Sequence, residues 1–315
     1  MAGAELNFGK NWKPKTIGLV LKHHDSHAKQ LAVRLGKELL DQSINVAVPG
    51  ERNGLVSSLK KESDLSQTTL NRRIKTVSKQ KMANACDMII VVGGDGTFLS
   101  IAREMKSRSV PIMGVNMGRV GFLTEIKKEE ALEILRRILI EKKTTISRRA
   151  LLDVKLKRNG KIIYSGPVVN DAVISKGAIA RIISLQVSVN RRWANTVRAD
   201  GLIFSTPTGS TAYNLAAGGP ILDPRLPGIL ITPVSPHSLT QRPIVVPENS
   251  LIEVRLENRR GEAFLTLDGQ DAVRLKENDI VTIKHFVKHP LLIVTSPTRD
   301  YFSLVREKFQ FGSKV

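Results

Sequence analysis

The stretch that most constrains this chain is Met88-Ile89-Ile90-Val91-Val92-Gly93-Gly94-Asp95-Gly96-Thr97-Phe98-Leu99-Ser100-Ile101-Ala102-Arg103. An apolar, β-branched run leads directly into glycines, and Phe98, Ile101, Ala102 and Met105 then recur at helical spacing. The pattern reads buried strand, tight turn, helix. That is the layout of a phosphate loop, with Gly93, Gly94, Gly96 and Thr97 as its candidates. Glycines let the backbone approach an anion closely, and the N–H groups that start a helix carry partial positive charge. Asp95 is the odd residue there. A carboxylate beside phosphates repels them unless it holds Mg2+ or removes a proton from an attacking hydroxyl, and both are jobs in phosphoryl transfer. The competing reading is a turn aspartate that hydrogen-bonds its own backbone.

The flanking sequence repeats the alternation. Lys15-Thr16-Ile17-Gly18-Leu19-Val20-Leu21 reads as a first strand, and Ala28, Leu31, Ala32, Leu35 and Leu39 keep helical spacing behind an Asp25 or Ser26 cap. Val46-Ala47-Val48 before Pro49-Gly50 is the second strand, and Val110-Pro111-Ile112-Met113-Gly114-Val115-Asn116 is a later one. Alternating strands and helices predict a parallel sheet with helices on its faces, so the loops at Gly94-Asp95 and Asn116-Met117-Gly118-Arg119 should face one crevice at the strands' carboxyl ends. Residues 51–83 are polar and basic with little periodicity, apart from a helix near 70–77, and read as a long, mobile surface insertion. A helix over 128–141 turns Ala131, Leu132, Leu135, Ile138 and Leu139 inward and closes the domain.

At Thr144 the character changes. Leu152-Asp153-Val154-Lys155-Leu156-Lys157 alternates strictly, Asn159-Gly160 is a strong hairpin signal, and Lys161-Ile162-Ile163-Tyr164 follows. Further strands are expected over 168–175, 182–189, 202–205, 229–232, 251–256, 263–267 and 279–284, with one helix over 210–217. The expected organisation is an α/β nucleotide-binding domain with a parallel sheet over 1–146, a mostly antiparallel β-rich domain over 147–290, and a segment over 291–315 packing back on the first.

Composition narrows the partners. With 315 residues the chain has room for two cores, and 41% apolar with 25% charged residues is ordinary for a globular protein. No apolar run approaches the roughly 18 residues of a membrane span, and Met1-Ala2-Gly3-Ala4-Glu5 lacks the apolar core of a signal peptide, so a cytoplasmic protein without membrane contact is expected. Cys86 is the one cysteine, which excludes an intrachain disulfide and a cysteine-rich metal site. The charge is less ordinary: 49 Lys and Arg against 29 Asp and Glu give +20, an attraction to polyanions. Nucleic acid is not the expected one, because the basic residues are dispersed, aromatics are 4%, and no zinc-finger, basic-zipper or aromatic RNA-binding signature is present.

Four polar stretches have no use in a bare β scaffold: the glycine loop over Gly93 to Thr97, Asn170-Asp171, Asp200-Gly201 with Ser205-Thr206-Pro207-Thr208-Gly209-Ser210-Thr211-Ala212-Tyr213-Asn214, and Leu267-Asp268-Gly269-Gln270. The third places hydroxyls, backbone N–H groups and Tyr213 around one helix start. Together with Val115-Asn116-Met117-Gly118-Arg119-Val120-Gly121-Phe122-Leu123-Thr124 and Ile231-Thr232-Pro233-Val234-Ser235-Pro236-His237-Ser238-Leu239, these stretches resemble the bacterial NAD kinase family, which uses ATP or polyphosphate. The similarity runs from the first strand to about Arg299-Asp300-Tyr301-Phe302.

The resemblance implies a two-domain NAD kinase-like fold and transfer of a phosphoryl group to the 2′-hydroxyl of the adenosine ribose of NAD. It implies Asp95 as general base and Gly96 beside the dinucleotide, and it carries NAD contacts to Asn170, Asp171, Arg181, Arg198, Asp200, Thr211, Ala212, Tyr213, Asn214, Leu215, Ala216 and Gln270. Many members have Glu where Asp171 stands, and an Arg in the position of Arg198 goes with NAD rather than NADH. Mg2+ is expected to come with ATP rather than to occupy a protein-only site, and a homodimer or homotetramer is expected. The glycine loop alone is shared with lipid kinases of the diacylglycerol kinase type, and a non-catalytic nucleotide sensor would also use it; both remain alternatives on sequence alone.

Overall fold

The computed structural model describes residues 8, 12–50, 54–142, 144–178, 182–257 and 262–310. Arg149–Pro290 forms one compact unit, and the described residues before Arg149 together with those from Leu291 onward form another.

The α/β unit begins with β1 (Thr16–Leu21), α1 (Ser26–Asp41) and β2 (Asn45–Pro49). Asp25 caps α1, its carboxylate accepting from the Ala28 amide at 2.9 Å. Next come α2 (Leu55–Glu62), α3 (Gln67–Arg73), β3 (Ile74–Val77), α4 (Lys79–Ala85), β4 (Met88–Val92), α5 (Asp95–Ala102), β5 (Pro111–Asn116), β6 (Ile126–Lys127), α6 (Ala131–Arg136) and β7 (Ile146–Arg149). β1 pairs in parallel with β2 on one side and β4 on the other. The order of winding reverses between them, so the glycine loop after β4 sits at the topological switch point where open α/β sheets bind ligands. β4 is buried at all five positions, as its apolar sequence requires.

Residues 54–85 are not the surface insertion expected of them. Leu55, Leu59, Leu70, Ile74 and Met82 are buried, and β3 pairs with β2 to extend the sheet. Helices of seven or eight residues show too few turns for their periodicity to register, and β3 buries one of its four side chains. Residues 51–53 lie outside the described residues. The helix expected over 128–141 starts at Ala131 and widens into a π-helical turn over Arg137–Glu141, ended by Lys142 in the left-handed region.

The β-rich unit contains β8 (Leu152–Arg158), β9 (Lys161–Val168), β10 (Asp171–Lys176), β11 (Ile183–Val189), β12 (Arg192–Ala199), β13 (Gly201–Ser205), the short helix α7 (Tyr213–Ala216), β14 (Gly228–Val234), β15 (Ile244–Pro247), β16 (Ile252–Leu256), β17 (Ala263–Leu267), β18 (Asp271–Leu275) and β19 (Ile280–His285). Two antiparallel six-stranded sheets, ordered β15-β14-β13-β10-β17-β18 and β12-β11-β16-β19-β8-β9, share one core. Ala172, Ile174 and Phe204 from the first meet Val154, Leu185 and Val254 from the second within it. Asn159 and Gly160 both have positive φ, the two-residue turn their sequence calls for. β12, β15 and β18 escape the sequence reading because they lie at sheet edges and expose half or more of their side chains.

The chain then returns to the α/β unit. β20 (Leu291–Val294) inserts between β5 and β7, and α8 (Tyr301–Phe309) follows behind an Asp300–Ser303 capping box. Among the described residues no helix is long and apolar enough to cross a membrane.

Candidate active site

Asp95 is the first residue of α5, where the helix dipole favours a negative charge. Its carboxylate partners lie 27 to 29 residues ahead rather than in its own turn. Oδ1 accepts from the Leu123 amide at 3.2 Å, the Thr124 amide at 3.0 Å and the Thr124 hydroxyl at 2.8 Å, while Oδ2 accepts from the Phe122 amide at 3.0 Å. Each carboxylate oxygen offers about two acceptor positions; Oδ1 is shared by three donors and Oδ2 meets one, so the open position lies on Oδ2. Asn116, buried at the end of β5, supports the arrangement: its Nδ2 donates to the Thr124 hydroxyl at 3.1 Å and its Oδ1 accepts from the Gly118 amide at 2.6 Å. Gly121 has no alternative in this loop, because a Cβ there would lie 2.0 Å from Asp95 Oδ1.

The glycines of the loop serve space rather than unusual backbone angles, since none of Gly93, Gly94 and Gly96 has positive φ. Above Gly94 and Gly96 the space is open, and the Thr97 hydroxyl lies against Gly93. Among the described residues no group of three or more His, Cys, Asp or Glu is placed to hold a metal.

The β-rich unit carries a pocket of about 370 Å3. Asp171, Val173 and Ser175 line it from one face of β10, while Ala172 and Ile174 on the other face enter the core. Asn170, Ala212, Tyr213, Thr266, Asp268 and Gly269 complete the wall. The turn at 169–171 is gripped from two sides. The Asp268 carboxylate accepts from the amides of Val169, Asn170 and Asp171 at 3.0, 2.7 and 3.2 Å. Opposite, the Thr206 amide donates to the Asn170 carbonyl at 2.9 Å and the Thr206 hydroxyl to the Val169 carbonyl at 2.7 Å. Gly209 allows this closure, because a Cβ there would lie 2.2 Å from the Asn170 carbonyl oxygen. Burial, and then the neighbouring Asp268 carboxylate, push the Asp171 carboxyl up to about 7. It therefore changes between proton donor and acceptor near neutral pH.

The expected site residues fall into groups. Asn170, Asp171, Ala212 and Tyr213 share the pocket, and Tyr213 keeps 47% of its surface exposed. Gln270 is exposed in the adjoining β17–β18 turn. Asp200 pairs with Lys176 at 2.9 Å, and Arg198 is exposed on β12. Arg181 lies outside the described residues. Leu215 is half-buried and Ala216 exposed on α7. The single helix expected over 210–217 is instead a 3-10 turn over Thr208–Thr211 and the four-residue α7, broken at Ala212. Its hydroxyl cluster turns inward: Ser205, Thr206 and Ser210 are fully buried and donate to backbone carbonyls. Asn214 is also committed internally, donating to the carbonyls of Ser210 and Pro220 and accepting from the Thr232 hydroxyl at 2.6 Å. The Thr211 hydroxyl donates to the Thr208 carbonyl at 3.3 Å.

Sequence reasoning placed Asp268, Gly121 and Thr124 inside notable stretches but gave none of them a role in the site. Asp268 did carry a signal: an aspartate before glycine in a hairpin turn, here with φ of 50° and only 8% exposed. Its partners 97 to 99 residues away left none.

Comparison with known proteins agrees along the chain. Residues 17–143 match the ATP-NAD kinase N-terminal domain and residues 169–295 the ATP-NAD kinase C-terminal domain. An NAD kinase of Trichlorobacter lovleyi is 43% identical over 254 residues, covering 79% of this chain and 88% of that protein. An NAD kinase of Solibacter usitatus is 36% identical over 300 residues, covering 95% of this chain and 99% of that protein. Among solved structures, yeast NADH kinase complexed with NADH superposes with a TM-score of 0.86 at 23% identity, covering 99% of this chain and 95% of that one. An NAD kinase from Archaeoglobus fulgidus in complex with ATP gives 0.69 at 26% identity, covering 93% and 99%.

Proposed function

This chain belongs to the NAD kinase family and is an NAD kinase, and on that premise we propose how its residues divide the work. The observation that carries the proposal is the Asp95 carboxylate, held by four donors at the switch point of the sheet with one acceptor position left on Oδ2. Asp95 Oδ2 takes the proton of the ribose 2′-hydroxyl as that oxygen bonds to the γ-phosphorus of MgATP. The bond from the γ-phosphorus to the bridging oxygen breaks, ADP leaves with the electron pair, and Asp95 returns its proton to water. Such a transfer needs position and charge neutralisation more than covalent chemistry. The open backbone over Gly94 and Gly96 suits phosphate oxygens. Mg2+ would come with ATP, and the chemistry it would supply is neutralisation of the phosphate charge.

In the β-rich unit, the pocket lined by Asn170, Asp171, Ala212 and Tyr213 takes the adenosine. Tyr213 offers an exposed ring for stacking on the adenine, and Asn170 and Asp171 offer hydrogen bonds to hydroxyls or ring nitrogens. Thr211, Asn214, Leu215 and Ala216 act mainly by shaping this wall, with Gln270 beside it. Arg181, Arg198 and Asp200 contribute the remaining dinucleotide contacts, and Arg198 favours NAD over NADH. The ATP complex of the Archaeoglobus fulgidus enzyme supports ATP as donor. The +20 charge supports polyphosphate as a second donor. A homodimer or homotetramer is part of the reading, supported by the exposed Ile244 and Val245 on the edge strand β15. So is a cytoplasmic location, in keeping with a single, buried, unpaired cysteine.

The test is NADP formation from NAD by the wild type and Asp95→Asn, with MgATP or polyphosphate as donor and NADH as competing acceptor. A positioned base contributes typically about 10²–10⁴-fold. Asp95→Asn should lose that much in kcat while NAD affinity, measured by calorimetry, stays within a few-fold. Wild-type turnover in the variant would remove the base from the mechanism.

A further inference from the structure

Asp95 owes its orientation to the main-chain donors of Phe122, Leu123 and Thr124, and the loop that presents them is held by the end of the chain. The Phe122 ring centroid lies 6.2 Å from that of Tyr301 and 5.6 Å from that of Phe309, tilted by 47° and 31°. Those two residues stand at opposite ends of α8, so the helix meets the Phe122 ring with its first and last residues. The helix is anchored in turn by buried Leu304 and Val305 and by its capping box. Just before it, the Ser296 amide donates to Glu125 Oε1 at 2.8 Å. Arg299 donates to the Glu125 carbonyl at 2.8 Å and pairs with Glu130. The segment over 296–309 therefore grips the 122–130 stretch at three points, the first being the residue whose amide meets Asp95 Oδ2.

We propose that α8 is a positioning element for the phosphoryl-transfer reaction, with Phe309 and Tyr301 holding Phe122 so that its amide stays aimed at the carboxylate of Asp95. This rests on Asp95 being the base. No residue of α8 needs to touch either substrate. The physical reason is that Oδ2 is the less restrained oxygen, with one donor against three on Oδ1. Releasing the Phe122 amide lets Oδ2 swing about the better-held Oδ1 and spoils the line from the hydroxyl proton to its acceptor. Displacements of about 1 Å in a reacting group can reduce rates by about 10²-fold.

The experiment compares Phe309→Ala, Phe309→Tyr and, as a control on the same helix, Arg306→Ala, whose side chain is exposed. Each is made in the wild type and in Asp95→Asn, reading kcat, the KM for NAD and the thermal midpoint. Phe309→Ala should lower kcat by about 10- to 100-fold with KM within about twofold at a temperature where the variant is folded. Phe309→Tyr keeps the ring and should restore most of the rate, and Arg306→Ala should change neither constant. In the Asp95→Asn background Phe309→Ala should cause no further loss. If Phe309→Ala fails to fold, Phe122→Leu makes the same comparison from the other side of the contact. An unchanged kcat, or an equal loss with and without the Asp95 carboxylate, overturns the positioning role while leaving Asp95 as base. Wild-type turnover in Asp95→Asn would overturn both, a separate and recognisable outcome.

Discussion

Asp95 combines two roles that the sequence presents as rivals. It is structural, since four donors converge on it, and in the mechanism proposed above those same donors orient it for chemistry. The combination has a consequence for Gly121. An alanine Cβ there would stand 2.0 Å from Asp95 Oδ1, so the loop or the carboxylate must move. Gly121→Ala should therefore reduce kcat by about 10²-fold, as measured by NADP formation, through the displaced carboxylate. Asp171 makes a different prediction. Its folded value of about 7 stands far above the roughly 3.9 of an unfolded aspartate. Between those values the folded chain binds more protons than the unfolded one, so this group's contribution to stability falls as pH rises from about 4 to 7 and is level above. Asp171→Asn removes the decline. Its urea midpoint should exceed that of the wild type by more at pH 8 than at pH 5, while the KM for NAD rises. An equal difference at both pH values would mean that Asp171 titrates as an ordinary carboxyl.

At the scale of elements, the strand-turn-helix at β4 and α5 was legible because each part has a strong local period and β4 is apolar on both faces. The Asn159-Gly160 hairpin was legible for a similar reason, both residues tolerating the positive φ that its turn demands. Short elements failed the same reading. α3 shows one buried side chain in seven residues, yet that residue, Leu70, is fully buried in the core shared with Leu55, Val48 and Ile74. Leu70→Ala should cost about 2–5 kcal/mol in urea unfolding, as for a core leucine. A loss below about 0.5 kcal/mol would return residues 54–85 to the loose insertion that their composition suggests. The wall of the β-rich pocket teaches the opposite lesson. The run of Ser and Thr that leads into Ala212 and Tyr213 looks like a ligand cradle, whereas Ser205, Thr206 and Ser210 spend their hydroxyls holding backbone carbonyls. Hydroxyls serve either purpose, and only the position of the carbonyls decides between them.

For the molecule as a whole, the +20 charge is visible from composition, and a net positive charge attracts anions over long range. Screening shortens its reach from about 10 Å at 0.1 M salt to about 3 Å at 1 M. The KM for MgATP should rise with added salt, and that for polyphosphate more steeply because it carries more charge; a flat response would assign the charge to solubility alone. Local periodicity sufficed to identify an α/β part with a parallel sheet and an antiparallel β part, since side chains alternate by two in a half-buried strand and recur by about four on a helix. Residue type rather than periodicity drew attention to Asp95, a carboxylate among glycines, and to Asn170, Asp171 and Tyr213, polar or aromatic residues in a scaffold that does not need them; the NAD contacts assigned to these last three came from the family resemblance. Tertiary structure alone decided which residues hold them. Phe122, Leu123 and Thr124 reach Asp95 across 27 to 29 residues, and Asp268 reaches the 169–171 turn across 97 to 99. It also decided that Asp171 titrates near neutrality, because desolvation and a second carboxylate arise only when distant strands meet. Periodicity reports which face of an element is buried; hydrogen-bond direction and local dielectric depend on what lies against that face.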